Sequence, residues 1–260
     1  MKSQDLLILL KLISLEKQER GEAEKLDISI FLNRIAAQNI GEGLAKYSDA
    51  YHARFARDYK LSLDTNSDSI LDAKLEDIPD EHIEISAASE WQGWEDSVVD
   101  EEPVNAASYT LRSLSESLGL SKSEVGNSLA RSRDIGLLVT DHRSGLPKAN
   151  SRALVDLIKY GVRYFFPVKP GPIVRGIPTA FAAPVLEGKV LSAGEIIPVW
   201  PDAKGKTKGE SIEPLFKTVP HAVKNDFLLY HFLALVDAIR IGGPRESAVA
   251  ATMLEGWILQ

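Results

Sequence analysis

Three polar side chains spaced four residues apart, Ser123, Asn127 and Arg131, carry the chemistry that stands out in this sequence. A carboxamide pairs bidentately with the edge of adenine and a guanidinium with that of guanine, each pairing discriminating by about 1–3 kcal/mol. That spacing puts all three side chains on one face only if the segment is helical. Close by in the chain stand Lys122, Arg133, His142, Arg143, Lys148 and Arg152. Cations of this kind meet phosphates, the contacts that supply most of the sequence-independent affinity for a nucleic acid. The set has the composition of a surface that reads double-stranded DNA.

The elements that would position these residues are legible around them. Leu111, Leu114 and Leu118 recur at helical spacing, and Gly119 follows where a left-handed residue ends a helix. Ser121 and Glu124 then form the capping-box pattern, predicting a second helix over 121–135. With about 100° per residue, Leu129, Ser132 and Gly136 fall near Val125 on the inner face. Ser123, Asn127, Ala130, Arg131 and Asp134 fall on the opposite, solvent face. Leu137–Val139 predicts a short strand, and Asp141–Lys148 has the glycine, proline and cations of a turn. A basic hairpin over 139–150 would grip the backbone beside the groove.

In the run Leu-Arg-Ser-Leu-Ser-Glu-Ser-Leu-Gly-Leu-Ser-Lys-Ser-Glu-Val at 111–125, and in the Gly-Leu-Leu at 136–138, the chain resembles the MarR-like winged helix-turn-helix regulators of bacteria. The resemblance implies transcription regulation, a recognition helix in the major groove, a wing on the backbone, and a homodimer formed by helices outside the DNA-reading unit. The segments at 161–167, 175–180 and 236–240 resemble a bacterial winged-helix family of unassigned role. A winged helix used only for protein contacts, or a helical hairpin without that role, are the plainer readings of the same residues.

The totals agree with a DNA binder once the charge is divided. The chain has 260 residues and a net charge of −7. Residues 64–102 hold one lysine against 14 acids, whereas residues 103–175 hold 11 basic and five acidic side chains, net +6. The basic excess therefore coincides with the helix-turn-helix segment. With no cysteine, disulfides and thiolate metal sites are excluded, which fits a reducing cytosol. The apolar run Leu6–Leu10 is too short to span a bilayer, so a cytoplasmic protein with no membrane partner is expected.

A winged helix opens with a helix that packs behind the other two. None lies directly before Thr110, whereas residues 4–16 are apolar almost all round, with Ser3 as cap. The expected fold class is therefore α+β, mainly α. Residues 1–16 and 109–160 form the winged helix-turn-helix, 17–108 a helical and acidic insertion, and 161–260 an α+β half that dimerises or binds a partner or ligand. Two independent domains are the alternative.

Helical signals over 27–58 suit dimer contacts or simple core cover. The acidic block at 64–102 is a segment that docks on the basic surface and competes with DNA, a docking site for a protein partner, or a solvated connection. A helix at 152–160, a strand at 162–166, an irregular β unit at 167–220 and helices at 220–241 and 244–259 complete the expected order. Arg175, Thr179, Arg240 and Arg245 form either a ligand site or structural bridges.

Other chemistry finds little support. Gly205-Lys-Thr207 lacks the earlier glycine of a phosphate-binding loop, since Trp200 stands there. The five histidines show no metal-ligand spacing, and no nucleophile–base set is identifiable. No cofactor and no enzymatic activity are expected. The expected function is sequence-specific transcription regulation; the alternative is an antitoxin-like or adaptor module in which the acidic insertion and C-terminal half hold a partner protein. A third reading is a repressor whose C-terminal half senses a ligand.

Overall fold

The structure, a computed structural model, describes residues 1–23, 93–94, 103–189 and 197–259. These are mainly helical, with two small sheets. The helical signals at 27–58 and all of the acidic block except Gly93 and Trp94 lie outside the described residues.

Helix α1 (Ser3–Glu19) is buried on every side, as its all-round apolar composition requires. Leu6, Leu7, Ile8, Leu9, Leu10, Leu12, Ile13 and Leu15 all belong to the core, each worth about 1.5–3 kcal/mol of transfer from water. One side of α1 packs on α3 (Lys122–Asp134) and on strand β2 (Pro147–Ala149), and another on α5 (Phe227–Ile241). One hydrophobic cluster therefore runs from α3 through α1 into the C-terminal half.

Helix α2 (Leu111–Leu118) starts at Thr110, whose hydroxyl accepts from the Ser113 amide, and stops at Gly119 in the left-handed region at φ 63°. The Ser121 hydroxyl accepts from the Glu124 amide at 3.2 Å, while Glu124 accepts from the Ser121 amide at 2.8 Å. That reciprocal pair starts α3. Strands β1 (Leu138–Thr140) and β2 pair antiparallel, Leu138 opposite Ala149 and Thr140 opposite Pro147. Asp141 closes their turn by accepting from the Ser144 amide at 2.8 Å.

Helix α4 (Ser151–Phe165), capped by Asn150, corrects the expected strand at 162–166. Val155, Ile158 and Val162 continue one buried helical stripe across Gly161. Arg163 fixes this last turn by donating to the carbonyls of Ile239 and Gly242 and to Ser247. In a sequence window, Gly161 and the aromatic run after it read as a break; the tertiary acceptors decide otherwise.

The β unit is a closed arrangement of β3 (Ile173–Pro178), β4 (Pro198–Pro201) and β5 (Thr207–Ser211). Strand β3 pairs antiparallel with both others, which pair parallel with each other. Three strands close so tightly only where side chains are missing. A Cβ at Gly176 would overlap the Trp200 carbonyl, and one at Gly209 that of Ile197. Trp94 closes the unit from the acidic block: it is buried, bridges to Gly205 and meets the Tyr230 ring edge-on at 6.0 Å.

The expected helix over 220–241 is divided. A single turn, Val219–Ala222, precedes Asp226, which caps α5 by accepting from the Leu229 amide at 2.8 Å. The same carboxylate pairs with Lys11 at 2.8 Å and accepts from Ser14 and Gln18, all on α1. Helix α6 (Pro244–Leu259) closes over α5.

Two measurements test this packing. Asp226→Ala strips the cap and leaves the Lys11 ammonium buried without its partner, so unfolding by denaturant should show a loss of about 3–5 kcal/mol. His231 is buried among Phe227, Tyr230 and Trp257, neither ring nitrogen has a hydrogen-bond partner among the described residues, and burial pushes its pKa down to about 3. The unfolded chain takes up a proton near pH 6.5 that the folded one refuses, so stability falls as pH drops from 6.5 towards 3. His231→Phe should flatten the curve of stability against pH over that interval.

Candidate nucleic-acid interface

The outer face of α3 is built by burying the opposite one. Val125, Ser128 and Ser132 point inward, which leaves Ser123, Asn127, Ala130, Arg133 and Asp134 exposed. Ser123 and Asn127 thus stand one helical turn apart in water. Lys122 is exposed at the first turn, and Lys2 and Lys217 lie close enough to lower the pKa of Glu124 after the Ser121 hydrogen bonds have done most of it. Sequence spacing could not have brought Lys2 and Lys217 to this end of the helix. Both come from parts of the chain far from it in sequence.

Arg131 departs from the expectation. It sits at the edge of the helix on the Ser128 side, and its side chain is only 30% exposed. Its guanidinium grips Asp5 of α1, Nη2 to Oδ1 at 2.6 Å and Nε to Oδ2 at 3.2 Å, while Ser128 donates to the same carboxylate at 2.6 Å. Asp5 is fully buried, and an isolated carboxylate there would be costly. Burial pushes its pKa up, but Arg131, the Lys2 amide and Ser128 together hold it below the ordinary carboxylate range. The inward demand of that carboxylate outranks the outward direction inferred from a helical wheel. Arg131 fixes how α3 sits on α1 and does not belong with Ser123 and Asn127.

The hairpin changes one further assignment. His142 and Arg143 are exposed at its turn. Lys148, expected at a phosphate, is half-buried and pairs with Glu16 of α1 at 2.7 Å, where Arg20 is also held. This ion pair crosses the cleft between α1 and the hairpin, a cavity of about 550 Å³ lined also by Glu19, Tyr109 and Arg143. Arg152 is exposed at the start of α4, on the same helical face as Asp156 and Tyr160.

The second candidate cluster resolves into structure. Thr179 donates to the buried Asp237 at 3.2 Å, Trp200 Nε1 at 2.5 Å and Arg240 at 2.6 Å. Arg240 also donates to the carbonyls of Phe166 and Glu213. Arg175 and Arg245 are exposed, whereas Thr179 and Arg240 bond to Asp237 in the interior. Asp237 was not anticipated; an acid three residues before Arg240 inside an apolar helix was its available signal. Among the described residues no cluster of His, Cys, Asp or Glu could hold a metal ion, and no helix is long and apolar enough to cross a membrane.

Compared with known proteins, the chain matches no family model, no curated protein and no solved structure. What the surface can do rests on its own geometry: an amide and a hydroxyl on the outer face of a firmly seated helix, with a cationic turn at the far end of the adjoining hairpin.

Truncating Arg131 leaves the Asp5 carboxylate buried without its main partner. Arg131→Ala should therefore lower stability by about 3 kcal/mol in a denaturant titration, the low end for a broken buried pair because the guanidinium is partly solvated. Asn127→Ala, on the solvent face, should stay within about 0.5 kcal/mol of the parent.

Proposed function

We propose that this chain is a sequence-specific DNA-binding transcription regulator built on a winged helix-turn-helix, with α3 as the recognition helix and the β1–β2 hairpin as the wing. The observation that carries the reading is the exposure of Ser123 and Asn127 on a helix whose opposite face is locked to α1. A reading helix must be positioned rigidly, because a bidentate contact to a base edge tolerates little misplacement. Order and capping of the helices support the reading, as does the run of exposed basic residues Lys122, Arg133, His142 and Arg143 around them. The resemblance to MarR-like regulators in the 111–125 run points the same way.

Base reading falls to Ser123 and Asn127 in this proposal, without Arg131. Phosphate contacts fall to Lys122, Arg133, His142 and Arg143, joined by Lys2 and Lys217 at the helix N-terminus. Fewer base-reading groups per copy means modest specificity from one copy alone. The adaptor reading has one specific observation in its favour: two of the nine expected DNA-binding side chains, Arg131 and Lys148, are paired internally with Asp5 and Glu16.

Selection of bound fragments from a random or genomic DNA pool, followed by mobility shifts at several salt concentrations, tests the proposal. Asn127→Ala should relax the preference at one base pair and leave the salt slope alone. Arg143→Ala should weaken binding to all sequences and reduce the slope of log K against log salt by about one. No retention of any DNA at low salt, or equal effects of both substitutions on every sequence, would replace this reading with the adaptor.

A further inference from the structure

The β unit carries a run of charge that the surface around α3 does not account for. Lys204, Lys206 and Lys208 are exposed in the turn before β5 and at its start, with no acid between them. Arg175 of β3 stands opposite Lys208 in the antiparallel pair, so the two side chains project from one face, and both are exposed. Glu210, two residues on and opposite Ile173, ends the run. Residues 176–260 hold eight basic and nine acidic side chains, so three lysines within five residues are a local concentration. Lysines often guard the open edge of a sheet. This sheet is closed, with β5 paired to both β3 and β4, so that role falls away.

A path of contacts joins this run to the N-terminus of α3. Lys217 lies close enough to Glu124 to lower its pKa. The residues after it pack on the turn between α2 and α3. A Cβ at Gly119 would meet Thr218 at 3.5 Å and the His221 ring at 2.9 Å, and His221 Nε2 stands 3.3 Å from the Glu116 carbonyl. Lys224, three residues beyond His221, pairs with Asp202 at 3.1 Å. Asp202 also accepts from the Lys204 amide at 2.8 Å, so this acid is already engaged where the lysine run begins. Outward from α3, the exposed basic side chains are therefore Lys122, Lys217, His221, Lys204, Lys206 and Lys208. They come from three separate segments of the chain, and only folding sets them in one band.

The geometry points to a phosphate track on the C-terminal half: a duplex engaged by α3 continues past the N-terminus of that helix, and Lys204, Lys206 and Lys208 hold its flanking backbone. This inference rests on the DNA-binding reading above and extends the contact beyond the winged helix. Lysine is a point charge on a flexible stem, suited to phosphate wherever no fixed geometry is needed. Lys206 and Lys208 are two residues apart, about 7 Å along extended backbone. Each duplex strand carries one phosphate per ~3.4 Å of axis, so the two ammonium groups meet separate phosphates. Residues 204–208 contain no carboxamide and no aromatic ring with which to read a base or stack on one. The track therefore adds affinity without sequence preference. An acidic peptide would satisfy the same lysines, but a band that begins at the recognition helix suits one long polyanion better.

The test uses the full chain and a fragment it selects, once at a length of about 30 base pairs and once trimmed to about 10, one helical turn around the preferred site. On the long duplex the double variant Lys206→Gln, Lys208→Gln should lower the slope of log K against log salt by about two, since each neutralised phosphate contributes about 0.9. On the trimmed duplex it should match the parent, and its base preference should be unchanged on both. The double variant Lys206→Arg, Lys208→Arg should restore the slope, which a purely structural role for the lysines would not require. A parent slope retained by the glutamine variant on the long duplex would overturn the inference and leave the DNA-binding reading standing. An equal loss on both duplexes would overturn it too, because the lysines would then act within the site α3 reads. A parent that retains no duplex at low salt would remove the reading and the inference together. Retention of polyglutamate instead of duplex, lost in the glutamine variant, would replace the track with a docking site for an acidic protein.

Discussion

Everything described rests on a helix that is buried on all sides and still carries charge. Helix α1 brings Asp5, Lys11 and Lys17 into an interior where unpaired charges are untenable, so each must find a counter-ion on whatever packs against it. Asp5 finds Arg131, Lys11 finds Asp226, and Lys17 finds Glu22. Hydrophobic contact alone would let α1 slide or rotate between its neighbours, because one leucine is much like another. The two long-range ion pairs give it a register. One orients α3, the other the start of α5, and the chain's two halves are indexed to the same rod.

This indexing bears on what the exposed surface can offer. A guanidinium whose Nε and Nη2 hold a buried carboxylate has fewer donors left for any other acceptor, and an ammonium that ties the hairpin to α1 has less to offer an anion. Arg131 and Lys148 are drawn inward for the same reason: α1 presents Asp5 to one and Glu16 to the other. In exchange the outer face of α3 is held at two points by directional bonds. A surface built for recognition gains from such stiffness, since less conformational freedom remains to be lost on binding.

The C-terminal half applies the same logic to its own interior. Asp237, inside the apolar helix α5, gathers Trp200 of β4, Thr179 at the end of β3 and Arg240 one turn away. Arg240 reaches on to backbone carbonyls at two segment ends. The β unit is too small to bury a core of its own, so these bonds and the Trp94 and Trp200 rings against Tyr230 fasten it to the helix. His231, by contrast, is buried with no hydrogen-bond partner among the described residues, and burial pushes its pKa down.

Local grammar by itself determined much of the architecture. The leucine spacing at 111–118, the Ser121–Glu124 capping box, the hairpin chemistry at 141–148 and the all-round apolar segment near the N-terminus each specify their element through contacts a few residues long. The outward direction of Ser123 and Asn127 followed from the same periodicity. Tertiary structure alone decided which polar residues are available, because that depends on partners distant in sequence: Asp5 for Arg131, Glu16 for Lys148, Asp226 for Lys11. It also carried α4 through Gly161, where carbonyls some seventy-five residues away hold Arg163. Periodicity can tell which way a side chain starts out from its helix. Where it ends is settled by the strongest unpaired charge within its reach.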